Sequence, residues 1–116
     1  IDESTDIFLS SELHDVDHLF TNKEALNIYR ISQESLSNVV KHSGASAARI
    51  ELMQGKGEVS LIIKDNGKGF DFTEEYQKLG SLGLKTLKGR VAILNGSLTF
   101  NSIKNEGTEV VFKFPT

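Results

Sequence analysis

The 116 residues include no cysteine and a single proline. Without cysteine there are no disulfides, no thiolate zinc sites and no thiol nucleophile, a usage that suits an intracellular domain. No apolar run approaches the ~20 residues of a membrane-spanning helix. The opening IDEST carries neither Met nor a signal-peptide pattern, so the chain reads as a piece of a longer protein. Positive charge is not in excess either. The net charge is −3, with Lys and Arg interspersed among Asp and Glu, which offers no basic stripe to nucleic acid and no basic amphipathic segment to a membrane. Repeats and low-complexity tracts are missing as well. What remains is 38% hydrophobic and fits one compact domain over residues 1–116, long enough to bury about two thirds of its unfolded surface in a single core.

Glycine supplies the punctuation, in MQGKGE, DNGKGF, LGSLG, LNGS and NEGT. DIFLSSEL alternates like a short edge strand, and DVDHLF fits a helical turn. A long helix is expected from Thr21 or Asn22 to His42. AARIELM and EVSLIIKD form a hairpin across Gln54 to Gly57, and the unbroken Leu61, Ile62 and Ile63 imply a central strand buried on both faces. LKTLKGRVAIL reads as a second helix despite Gly89, which costs about 1 kcal/mol relative to Ala. SLTFNSI and TEVVFKFP close the chain as another hairpin. The order strand, helix, two strands, helix, two strands predicts an α/β two-layer sandwich: a mixed, mainly antiparallel sheet covered on one face by helices.

Four features carry chemistry. In the first helix, at about 100° per residue, Ala25, Ile28, Tyr29, Leu36, Val39 and Val40 share a broad apolar face, while Glu34, Asn38 and Lys41 gather roughly opposite with His42 at their edge. On a helix taken alone, such a polar stripe is a solvated face. DNGKGF follows directly on the buried strand LIIK, so Asp65 stands where a central strand leaves the sheet; an ordinary turn begun by Asp65 and Asn66 explains it equally well. A P-loop needs GxxxxGK[ST], which occurs nowhere, and a calcium loop begun at Asp65 would set Gly67 and Phe70 where an oxygen ligand and Gly are required. In GSLGLKTLKGR, glycines run into a helix start, where free N–H groups and the helix dipole favour phosphate. Finally, Gly107 and Thr108 open the last strand.

Taken in order, ExxxNxxKH on a helix, a strand ending DxGxGF, GxxGL running into a helix and GT at a terminal strand, this arrangement resembles the ATP-binding catalytic domain of bacterial sensor histidine kinases. That domain has the Bergerat-type fold shared with gyrase, the Hsp90 chaperones and MutL. The likeness spans essentially the whole chain. IYRISQESLSNVVKHSGA, DNGKGF and GLKTL are especially similar to the subgroup that partners NarL-type response regulators.

The resemblance implies ATP and Mg²⁺ as ligands. Asn38 would bind the metal, Lys41 and His42 would lie near the phosphates, and Glu34 would be the catalytic base or polarising group. Asp65 would accept a hydrogen bond from the adenine amino group, with Thr108 completing a network on the base. Gly67 and Gly69 would allow close backbone approach, Gly80, Gly83 and Leu84 would form the phosphate side, and roughly Asp71 to Leu79 would be a mobile lid. Leu87 and Gly89 stand where relatives often carry Met and Glu. The acceptor histidine would lie on an upstream helical dimerisation domain of a homodimeric, cytoplasmic or membrane-anchored parent. ELHDVDHLF imitates the acceptor box, yet too few residues separate His14 from the next helix to build an acceptor hairpin, so His14 is expected in a connection and the isolated chain is not expected to phosphorylate itself. An anti-sigma-factor serine kinase of the same superfamily and a non-catalytic docking module are the alternatives.

Overall fold

A computed structural model describes residues 7–40, 44–67, 85–103 and 105–116. In chain order these form β1 (Phe8–Leu13), a 3-10 turn (Asp17–Leu19), α1 (Asn22–Asn38), β2 (Ala47–Gly55), β3 (Glu58–Asp65), α2 (Lys85–Ile93), β4 (Ser97–Ile103) and β5 (Gly107–Pro115). The sheet order is β1-β2-β3-β5-β4. Among the described strands only β1 and β2 pair in parallel, and a parallel pair requires a crossover, which α1 supplies. The other three pairings are antiparallel. Fold class, element order, the edge position of β1 and the central position of β3 are all as the sequence led one to expect.

Local signals fix the elements. Thr21 Oγ1 accepts from Glu24 N at 3.1 Å and Glu24 Oε1 accepts from Thr21 N at 2.8 Å, a reciprocal cap that starts α1. The β2–β3 hairpin pairs Gly55 with Glu58, so its loop is narrower than expected, only Lys56 and Gly57. Gly57 takes φ +75°, a conformation that closes so short a loop at no side-chain cost. The helix expected to reach His42 is regular to Asn38 and widens into a π-type turn at Val39 and Val40. Lys41 and His42 lie outside the described residues.

The core joins α1, α2 and one face of the sheet through Ile28, Ile31, Val39, Leu61, Ile63, Leu87, Val91, Phe112 and Phe114. Two expectations change. Ile62 is only partly exposed but not buried, because the opposite sheet face is a charged surface on which Arg49 pairs with Glu12 and Glu51, and Lys64 with Glu109. The Arg49 guanidinium holds the Glu51 carboxyl below the ordinary glutamate range. The apolar face of α1 is also rotated: Ile31 (0% exposed) and Ser35 sit at its centre, while Tyr29 is 59% exposed. Burial is decided by the direction of the sheet, which the helical period alone does not give.

Candidate functional site

The inner face of the sheet is laid out in rows set by the strand register. One row runs Leu52, Leu61, Phe112, Leu98, and the next Ile50, Ile63, Val110, Phe100. The row after that is Ala48, Asp65, Thr108, Ser102, where the chemistry turns polar. Asp65 ends β3 half-buried; its Oδ1 accepts from Gly67 N at 2.8 Å, and the Thr108 backbone N–H donates to the same carboxylate. Burial pushes the Asp65 carboxyl above the ordinary aspartate range, and these two N–H groups pull it back only in part. Thr108 is 8% exposed, and its Oγ1 lies 2.9 Å from Ser102 Oγ.

Asp65 and Thr108 meet because Gly107 precedes Thr108. A Cβ at Gly107 would overlap the Asp65 carbonyl oxygen, and the φ of +121° is one that other residues rarely adopt. Asn66 then braces the turn: its Oδ1 accepts from Ser46 N and Ala47 N, each at 2.9 Å, and its Nδ2 donates to Ser46 Oγ at 3.0 Å. Only residues 41–45 separate Val40 from Ser46, so this clasp ties the end of α1 to the same end of the sheet as Asp65.

Glu34 occupies the flank of α1 that meets α2, rather than the side opposite the core. Its Oε1 accepts from Arg90 Nε at 3.0 Å. Asn38, one turn further on, is partly buried and makes no side-chain hydrogen bond among the described residues. The structure thus assembles Asp65, Gly67 and Thr108 and separately joins Glu34 to α2. Gly69, Gly80, Gly83, Leu84 and the segment from Asp71 to Leu79 lie, with Lys41 and His42, outside the described residues. An apolar groove of about 420 Å³, lined by Leu13, Phe20, Ile28, Tyr29, Leu36 and Leu52 among others, is on the other flank of α1 and holds none of these residues. His14 directly follows β1, and its Nδ1 accepts from Gln54 N at 3.1 Å, which puts it in the connection expected of it.

Sequence reasoning missed Asn66, Ser102, Asn27 and Arg90 as parts of this framework. The TNKE and DNG patterns are local signals, but contacts such as Glu34 to Arg90 span 56 positions and leave no pattern in the chain.

The family described as histidine kinase-, DNA gyrase B- and HSP90-like ATPase matches residues 23–116. The chain belongs to this ATPase family. Among curated relatives, it is 36% identical over 114 residues to the signal transduction histidine-protein kinase/phosphatase DegS of Brevibacillus brevis, covering 98% of this chain and 29% of that protein. It is also 36% identical over 94 residues to the sensor histidine kinase YdfH of Bacillus subtilis, covering 80% of this chain and 23% of the relative. This ATPase-family domain therefore spans less than a third of those kinases. Among solved structures, the histidine kinase domain of the blue-light activated kinase of Erythrobacter litoralis superposes with a TM-score of 0.83 at 20% identity, over 95% of this chain and 52% of that one. Full-length ShkA in complex with AMPPNP gives 0.75 at 17% identity, over 94% of this chain and 25% of its own. With sensor histidine kinases as its relatives, the chain is a domain of the histidine-kinase catalytic kind. Among the described residues, no helix is long and apolar enough to cross a membrane.

Proposed function

We propose that this domain binds ATP with Mg²⁺ and donates the γ-phosphate to a histidine on a separate helical dimerisation domain of a homodimeric parent kinase, from which a NarL-type response regulator receives it. The observation that carries this reading is a half-buried carboxylate, Asp65, at the polar end of an otherwise apolar sheet face, held by two backbone N–H groups. Such a carboxylate suits the adenine amino group. Guanine would turn a carbonyl toward it and leave two acceptors unpaired, which favours ATP over GTP. Thr108 and Ser102 extend the polar row, and Gly67, without a side chain, would let the backbone approach the base closely.

The metal fits only as an ion shared with the nucleotide. Among the described residues, no three His, Cys, Asp or Glu side chains cluster closely enough to hold one. Magnesium held by phosphate oxygens and water needs one or two protein ligands, and the amide oxygen of Asn38, which makes no hydrogen bond among the described residues, is a suitable hard donor. Bound there, the ion would neutralise phosphate charge. Gly69 belongs to the same proposal beside the base, and Lys41, His42, Gly80, Gly83 and Leu84 on the phosphate side. In the transfer, the acceptor imidazole nitrogen bonds to the γ-phosphorus as the bond to the bridging oxygen breaks, and ADP departs with that electron pair. The imidazole proton passes to Glu34 or to a neighbour of the acceptor. Positioning and charge neutralisation carry such a reaction, with no covalent enzyme intermediate needed. Full-length ShkA, a quarter of which superposes on this chain, is itself a complex with AMPPNP.

The test is selective removal of the metal ligand. Asn38→Ala should abolish most of the Mg²⁺-dependent gain in ATP affinity measured by calorimetry and leave metal-free binding nearly intact. An equal loss with and without Mg²⁺ would make Asn38 a support of α1 instead.

A further inference from the structure

Arg90 is engaged more fully than a surface cation needs to be. Its Nε donates to Glu34 Oε1 at 3.0 Å, its Nη1 donates to Asn27 Oδ1 at 3.4 Å, and its own backbone carbonyl accepts from Asn27 Nδ2 at 3.1 Å. The Arg90 and Glu34 side chains are each about one third exposed, at 34% and 32%. An isolated ion pair at that exposure is screened by water and contributes little, so stability alone gives little reason for the arrangement. Its place in the fold gives a better one. Two turns of α1, at Asn27 and Glu34, are gripped from a single residue of α2. Asn38 follows Glu34 by one further turn, and α2 begins at Lys85, directly after the glycine-bearing stretch 80–84.

We propose that Arg90 is a positioning residue for phosphoryl transfer, fixing the Glu34 carboxylate through Oε1 and locking α2 to α1 in the orientation the donor site requires. The proposal rests on the kinase reading above. Oε1 is committed to the guanidinium, while Oε2 makes no hydrogen bond among the described residues and remains available to a proton or a water. A planar guanidinium is suited to this task because Nε and Nη1 reach two acceptors at once in a fixed geometry. A lysine ammonium can satisfy Glu34 but cannot reproduce the fork.

The experiment follows phosphohistidine formation by the full-length parent kinase as a function of ATP concentration. Arg90→Ala should lower the rate at saturating ATP by about ten- to a hundredfold, as loss of alignment does. The KM for ATP should stay within about twofold of wild type, because the adenine contacts are elsewhere. Arg90→Lys should recover part of the rate. Adding Arg90→Ala to Glu34→Gln should produce little further loss, since the arginine acts chiefly through that carboxylate. Effects that multiply in the double variant, or a raised KM with an unchanged saturating rate, would overturn the proposal and leave Arg90 as packing. If Arg90→Ala does not fold, Arg90→Gln, which keeps an amide donor at similar length, must show the same split, and full activity of that folded variant overturns the proposal equally. A wild-type kinase that fails to bind ATP would instead remove the functional reading on which all of this stands, an outcome visible before any variant is made.

Discussion

The two ends of the inner sheet face differ sharply. Toward the β2–β3 hairpin, Val59 pairs with Phe114 and Leu61 with Phe112, all of them at most 1% exposed. Toward the other end, the same two strands pair Asp65 with Thr108, one half-buried and one buried. The antiparallel pairing of β3 with β5 continues in one register to both ends, so strand pairing does not ask for the change. Packing does not ask for it either, because a half-buried carboxylate is costly even with two N–H donors, whereas Val or Leu at that position would add apolar burial. The apolar end explains why the domain folds. The polar end is where the proposed nucleotide site lies.

That contrast can be broken from either side. The largest expected effect is at the apolar end, where Phe112→Ala empties a fully buried ring site and should cost about 3–5 kcal/mol in denaturant unfolding. A cost below 1 kcal/mol would mean that Phe112 is not central to the core. Next is Gly107→Ala. The new Cβ meets the Asp65 carbonyl at a backbone angle that costs roughly 1–3 kcal/mol for a residue other than glycine, so stability and ATP affinity should fall together. Affinity unchanged in a destabilised variant would separate Gly107 from the site.

The smallest effect is in pH dependence. Burial raises the Asp65 carboxyl in the folded state above its unfolded value, so its contribution to stability is fully present below the unfolded value and is lost as pH rises through the folded one. Asp65→Asn, whose amide oxygen still accepts from Gly67 N, should therefore gain stability relative to wild type as pH rises from the ordinary aspartate value, about pH 4, through the raised folded one. A difference between the two proteins that stays constant across that range would show that Asp65 carries no burial penalty.

Much of this was legible in the chain because its signals are local. The capping pattern at Thr21 and Glu24, the glycine in the β2–β3 loop and the alternation of the strands each act over a few residues. Asp65 and Thr108 were legible through motif order, although their direct pairing is a matter of sheet register. Three features were not legible. The rotation of α1 that buries Ile31 depends on where the sheet lies, the partial exposure of Ile62 on a face that none of the described helices covers, and the Arg90 grip on Glu34 and Asn27 on how α2 packs. These are tertiary facts, and no window of sequence contains both partners.

The central claim is that the polar end of the sheet reads adenine, and nucleotide titration by calorimetry of wild type and Asp65→Asn tests it most directly. Wild type should bind ATP and discriminate against GTP. Asp65→Asn should lose about 1.5–3 kcal/mol of ATP affinity, the worth of a hydrogen bond to a charged group, while remaining folded in thermal unfolding. Equal ATP affinity in the two folded proteins would contradict the account and remove Asp65 from the site.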